Sequence, residues 1–269
     1  MTKTDPAALE GALADLAAHR PVLVALDFDG CLAPLVDDPS ASRMLPGARD
    51  ALTRMAPLAP HVQLALVSGR HLADLAALAD PPLGTWLVGS HGAETGEVGP
   101  DGLVTVPFDL APDDAETRRS LIAGFEEIAA EYDGAHVETK PTAAVLHTRR
   151  ATRGDAEDAD RRADAVAESL GLSPMHGKDV VETSVVETSK GEGLEALRAR
   201  LAEACDVGPA NVRVLYAGDD TTDERAFSRP GAVDLAIKVG DGETAASFRV
   251  SSPQAVADLL GRLATHLSV

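Results

Sequence analysis

The strongest constraint on this chain is a set of short runs that are apolar on both faces: VLVALD at 22–27, VQLALV at 62–67 and VRVLYA at 212–217, with VDLAIKV at 233–239 as a fourth. A strand with one wet face alternates apolar and polar residues, whereas a strand covered on both faces does not. Each of the first three is bounded by Gly, Ser or Asp, and all are too short for a helix. Longer amphipathic stretches lie between them, near 47–59, 71–79, 190–204 and 252–264. In the third, Leu194, Leu197 and Leu201 recur at three- and four-residue spacing and share one helix face. Strands and helices alternating in this way predict an α/β fold, a doubly wound parallel sheet with helices on both sides.

The middle of the chain has a different texture. Helical stretches at 114–132 and 155–171 separate strand-like pieces at 136–139, 143–148 and 179–183, which alternate more and carry polar faces. That is the pattern of antiparallel strands with one solvated side. The expected organisation is therefore a core of residues 1–107 and 185–269 carrying an inserted α+β domain at 108–184.

Composition narrows the functional classes. At 269 residues the chain has room for one large or two modest domains, and 45% hydrophobic with 25% charged residues argues for a globular fold over disorder. Lys and Arg number 24 against 43 Asp and Glu, a net charge of −19. Such a surface repels phosphate backbones and anionic lipid, so nucleic-acid and membrane partners are excluded on charge. The two cysteines, Cys31 and Cys205, lie far apart outside any CxxC, which removes a cysteine-rich zinc site and a disulfide framework. The first residues contain no apolar signal-like region, and no run of about 18 apolar residues occurs. A reducing, cytoplasmic setting is the expectation.

Four constellations carry chemistry, three of them at clear strand ends, where open α/β sheets bind ligands. Asp27-Phe28-Asp29-Gly30 follows the first strand. One carboxylate there suits a nucleophile or metal ligand and its neighbour an acid–base group; a plain turn is the other reading. Ser68-Gly69-Arg70 follows the second strand. Its hydroxyl and backbone N–H groups suit a phosphate oxygen, or an ordinary helix N-cap. Lys190 is one of only five lysines and opens a helix, the end where the dipole disfavours a cation. It reads as the partner of an anionic substrate or as a surface lysine. Finally, Asp219, Asp220, Asp223 and Glu224 crowd four carboxylates into six residues. Such acids repel one another unless a hard cation such as magnesium sits among them; a capping box accounts for one or two of the four. No two histidines have zinc-ligand spacing.

The order acid pair, Ser, Lys, acidic cluster resembles the haloacid dehalogenase superfamily. Gly-Ser-His-Gly-Ala-Glu at 89–94, Glu138-Thr139-Lys140, Val145 to Arg149, Gly177-Lys178 through Glu182, and 218–224 extend the likeness to the trehalose-6-phosphate phosphatase family, over about residues 20 to 240. The resemblance implies a doubly wound core of that superfamily with an inserted cap, and a magnesium-dependent phosphatase acting on a sugar phosphate. It implies that Asp27 attacks phosphorus to give an aspartyl phosphate, and that Asp29 exchanges the proton with the departing sugar oxygen and then with water. Magnesium would rest on Asp27, the backbone carbonyl of Asp29 and Asp219, with Asp220 completing the set and Asp223 orienting it. Ser68, Gly69 and Lys190 would hold the phosphoryl oxygens. Arg70, His91, Glu138, Lys140, Arg149, Lys178 and Glu182 would contact substrate. With one Trp and 3% aromatic residues, sugar recognition must rest mainly on polar groups. A functional link to a trehalose-phosphate synthase is also implied. Two departures stand out: Cys31 occupies the place of a usual Thr, and Ser184-Val185 that of Arg-Pro. Another sugar-phosphate phosphatase of the superfamily (for sucrose phosphate or mannosyl-3-phosphoglycerate), a phosphoryl-transferring mutase and a non-catalytic sugar-phosphate-binding domain share the core motifs; an intact acid pair argues against the last.

Overall fold

The structure, a computed structural model, describes residues 5–106, 110–186 and 188–268. These fall into two compact units, Met1–Pro107 with Thr188–Val269 and Phe108–Glu187. Strands and helices are numbered in chain order.

In the first unit the strands are β1 (Val22–Leu26), β2 (Val62–Val67), β3 (Trp86–Gly89), β4 (Glu94–Gly99), β5 (Gly102–Val106), β10 (Arg213–Gly218), β11 (Leu235–Val239) and β12 (Phe248–Val250). They form one sheet in the order β12-β11-β10-β1-β2-β3-β4-β5, parallel from β12 to β3 and antiparallel from β3 to β5. β1 is the central strand: Val22 lies opposite Arg213 on one side and Val62 on the other. The helices are α1 (Pro6–Ala18), α2 (Pro46–Met55), α3 (Leu72–Ala79), α6 (Lys190–Ala204), α7 (Thr221–Phe227) and α8 (Pro253–Leu267). The two-sided apolar pattern of β1 now has its cause. Val22, Val24 and Leu26 pack with α1, α2, α3 and α8, while Leu23 and Ala25 pack with α6 and α7. The doubly wound α/β class expected from the sequence is the class observed.

The second unit holds α4 (Pro112–Glu131), β6 (His136–Thr139), β7 (Ala143–His147), α5 (Arg153–Ser169), β8 (Met175–Gly177) and β9 (Val180–Ser184). Its antiparallel sheet runs β6-β7-β9-β8. Leu121, Phe125 and Ile128 of α4 and Ala159 and Ala163 of α5 close over Ala144, Leu146 and Val181. Alternation along the strands turns Glu138, Val145 and Glu182 to the opposite face, side by side in register. Among the described residues no helix is long and apolar enough to cross a membrane.

Because each unit has its own apolar cluster, damage to one core is expected to stay local. Phe125→Ala removes a fully buried ring and should cost about 3–5 kcal/mol. Hydrogen exchange checks it: amides of β7 and β9 exchange faster while β1 and β10 keep their protection. Equal acceleration in all four strands would show a single cooperative unit instead.

Candidate functional site

The sequence motifs converge where β1, β2, β3 and β10 end. Asp27 is 3% exposed; its N–H donates to Ala217 O, which continues the β1–β10 ladder, and its Oδ1 accepts from Phe28 N at 2.7 Å. The chain then turns back, with Gly30 N donating to Ala33 O. Gly30 has φ +73°, and a Cβ built there would lie 2.0 Å from Asp219 Oδ2. The glycine therefore does more than turn the chain: it opens the space that the Asp219 carboxylate fills.

Lys190 explains its own odd position at a helix start. Ser189 caps α6, and the lysine side chain, 2% exposed, extends inward. Its Nζ lies 2.8 Å from Asp223 Oδ1, 3.2 Å from Asp27 Oδ1 and 3.8 Å from Asp220 Oδ1. Burial opposes a charge on this lysine, but the three carboxylates outweigh it and hold the ammonium above the ordinary lysine range. Asp27 is pushed well above the usual carboxylate range, chiefly by burial, with Lys190 pulling the other way.

The acidic cluster separates into distinct jobs. Asp220 caps α7: its Oδ1 accepts from Thr222 N and Asp223 N. Burial works against its charge, yet Lys190 and these donors bring it down to about 2. Asp223 is fully buried; Tyr216 Oη and Lys190 Nζ donate to its Oδ1 and Asp220 N to its Oδ2. Glu224 accepts from Ala245 N and faces Lys238 at 3.5 Å. Asp219 is left, its carboxyl pushed up to about 6 by burial and by Asp223 and Asp220. Oxygens of Asp27, Asp219 and Asp223 lie within 4.8 Å of one another. Three carboxylates this close, all oxygen donors and two with raised pKa, fit a hard divalent cation. The geometric triad holds Asp223, whereas Asp220 is engaged as a helix cap.

On the other side, Ser68 is 2% exposed at the end of β2. Its Oγ accepts from Arg70 N at 3.2 Å and keeps a proton to donate. Two backbone bonds, His91 N to Ser68 O and Ser90 N to Arg70 O, tie the loop after β3 to the loop after β2. The His91 ring lies against Gly69, where a Cβ would be 2.4 Å from Cε1. Arg70 grips Asp29 bidentately, Nε to Oδ2 at 2.5 Å and Nη2 to Oδ1 at 2.8 Å. These groups line a cavity of about 380 Å³ with Asp27, Asp29, Lys190, Asp219 and Asp220. A wider cleft of about 650 Å³ between α1 and α8 is far poorer chemically, since Glu10 is paired there with Arg262 and His266.

The remaining predicted residues belong to the second unit. Lys140 Nζ lies 2.8 Å from both oxygens of Glu182, and His147 Nε2 is 2.8 Å from Glu138 Oε2. Arg149 and Lys178 are in exposed turns. Of the two departures, Cys31 Sγ donates to Ala217 O at 3.4 Å, and Ser184 Oγ donates to Thr142 O and Val186 O. Residues that sequence reasoning did not single out are Tyr216, which supports Asp223, and Ser42, whose Oγ donates to Asp29 Oδ1 at 2.9 Å. Tyr216 stands two residues before Gly218 inside an apolar strand and reads simply as core; Ser42 lies in a loop with no pattern.

With this geometry in place, comparison with known proteins is direct. A family model described as trehalose-phosphatase matches residues 25–253. The trehalose-phosphate phosphatase of Mycobacterium marinum is 35% identical over 266 residues, covering 94% of this chain and 64% of the relative. An uncharacterized glycosyl hydrolase of Mycobacterium tuberculosis is 35% identical over 264 residues, 94% of this chain and 19% of that protein. The chain thus spans less than two thirds of the length of both. Among solved structures, Aspergillus fumigatus trehalose-6-phosphate phosphatase superposes with a TM-score of 0.67 at 22% identity, covering 98% of this chain and 99% of that one. The doubly wound α/β core with its inserted unit is the fold class that this chain shares with that structure. Within that class, the chain belongs to the trehalose-phosphatase family.

The Gly30 geometry gives a clean test. Gly30→Ala and Gly231→Ala both place a side chain at positive φ, but nothing lies within 4 Å of the Gly231 position. Each should cost about 1–2 kcal/mol for the backbone conformation. Only Gly30→Ala should also displace Asp219 and weaken divalent-cation binding, measured by titration calorimetry. Equal cation affinity in the two variants would detach Asp219 from the cation.

Proposed function

We propose that this chain is a magnesium-dependent phosphatase that hydrolyses trehalose 6-phosphate to trehalose and inorganic phosphate. The observation that carries the reading is the buried Asp27 carboxylate at the end of β1, held by Lys190 at 3.2 Å on the floor of a cavity, in a chain of the trehalose-phosphatase family. Phe28 N and Lys190 engage Asp27 Oδ1, which leaves Oδ2 to attack phosphorus. The bond from phosphorus to the sugar oxygen breaks as the bond to Asp27 forms, and Asp29 gives its proton to the departing oxygen. Asp29 then takes a proton from water as the water oxygen displaces Asp27, which releases phosphate, frees the Asp27 carboxylate and returns Asp29 to its protonated form. Ser68 and Lys190 hold the equatorial phosphoryl oxygens, with the N–H of Gly69 beside them, and Lys190 balances the charge as it shifts. Asp27 and Asp219 would hold magnesium, which supplies charge neutralisation for a dianionic substrate. Arg70 and His91 would contact the substrate from the cavity wall.

Sugar hydroxyls would be bound by Glu138, Lys140, Arg149, Lys178 and Glu182 of the second unit. The chemistry of these groups supports this: a disaccharide offers many hydroxyls and little apolar area, and hydrogen bonds from hydroxyls to charged groups are the strong ones.

Phosphate release from a panel of sugar phosphates, with and without magnesium, tests the proposal. Trehalose 6-phosphate should far exceed glucose 6-phosphate; chelation should stop turnover and excess magnesium restore it; folded Asp27→Asn should show none. Comparable rates on the two sugars would leave only a general sugar phosphatase. A further expectation concerns Glu182→Ala. Loss of a charged hydrogen bond should lower kcat/KM for trehalose 6-phosphate about 10- to 100-fold, with little change on a small aryl phosphate. Equal losses on both substrates would remove Glu182 from sugar recognition.

A further inference from the structure

Asp29 is approached by two side chains, and only one of them was chosen by its motif. Arg70 holds it as a fork, and Ser42 Oγ donates to Oδ1 at 2.9 Å from thirteen residues further along the chain. Residues 34–41 and Arg43 are exposed, yet Ser42 between them is 1% exposed. The surrounding loop is built to hold it there. Asp38 caps a 3-10 turn at Pro39–Ala41, Arg43 Nη1 donates to the carbonyls of Ser40 and Ser42, and Leu45 N returns to Leu32 O. A serine buried in an otherwise wet loop, with its hydroxyl aimed at a carboxylate, has lost its water for that one contact.

The two partners are not equivalent. A guanidinium only donates and suits the ionised carboxylate, whereas a hydroxyl donates or accepts as required. Ser42 can therefore keep its bond to Asp29 before and after the carboxyl gives up its proton, while Arg70 cannot do so equally. We propose that Ser42 is a positioning residue that fixes the direction of the Asp29 carboxyl through both proton transfers. This rests on the reading of Asp29 as the acid–base group.

The test uses the dependence of rate on the leaving group, because protonation of the departing oxygen matters most when that oxygen is basic. Ser42→Ala, Ser42→Thr and Asp29→Asn are compared with the parent on monoesters graded from p-nitrophenyl phosphate to an alkyl phosphate. Thermal melting confirms that each is folded. Misdirecting Asp29 should cost Ser42→Ala about tenfold or more on the alkyl ester, against about twofold on p-nitrophenyl phosphate. Ser42→Thr, which keeps the hydroxyl, should restore most of the slope. A steep profile for Asp29→Asn with a uniform loss for Ser42→Ala would overturn the Ser42 assignment alone. A flat profile for Asp29→Asn would overturn the acid–base reading and the Ser42 assignment with it.

Discussion

One ammonium group organises the site. Lys190 Nζ stands within 4 Å of three carboxylates, Asp27 after β1, Asp220 at the cap of α7 and Asp223 within that helix. Burying a single unpaired charge is prohibitive, and burying two carboxylates without a cation more so. Taking the ammonium away would leave Asp27 and Asp223 uncompensated, a loss of about 3–5 kcal/mol. The group therefore does two things at once. It lets a carboxylate sit dry at the end of the central strand, and it fixes the distance between the β1 and β10 loops. Tyr216 extends the same network, donating from within the sheet to the oxygen of Asp223 that Lys190 also holds.

Much of this was legible in the sequence, for physical reasons that differ by element. β1, β2, β10 and β11 announce themselves because sheets covered on both faces demand uninterrupted apolar runs. α6 and α8 are equally clear from periodicity. β3, with four residues, and β12, with three, are too short to show a period, and β4 (ETGEVG) has no alternation to read. They are strands because their neighbours offer an edge, which is tertiary information. β8 is hidden for the same reason.

The site shows the same division. Asp27, Ser68 and Asp219 could be marked because each directly follows a buried apolar run, and Lys190 because the dipole disfavours a cation at a helix start. The acidic cluster could be counted but not resolved. Its members differ only in which backbone N–H each can reach, and a capping box takes Asp220 and part of Asp223 while leaving Asp219 open. Arg70 and Asp29 could both be named, but their pairing across 41 residues could not. Ser42 left no signal at all, since a serine in a loop is unremarkable until its burial is known.

The second unit leaves the main sheet after β5 and returns at Thr188. β5 is the edge strand, and among the described residues no strand of the insertion joins the eight-stranded sheet. The two splice points are nonetheless unequal. On the outgoing side Val104 and Val106 are exposed, and a change of sequence there disturbs little beyond one edge. On the returning side only Thr188 and Ser189 precede Lys190, and Ser189 caps the helix that aims it. A chain with a different insert can thus tolerate slack at its exit, but must re-enter in register to within a residue or its buried cation is lost. Exchange of whole inserts between relatives is constrained at one junction only, and that junction is the chemical one.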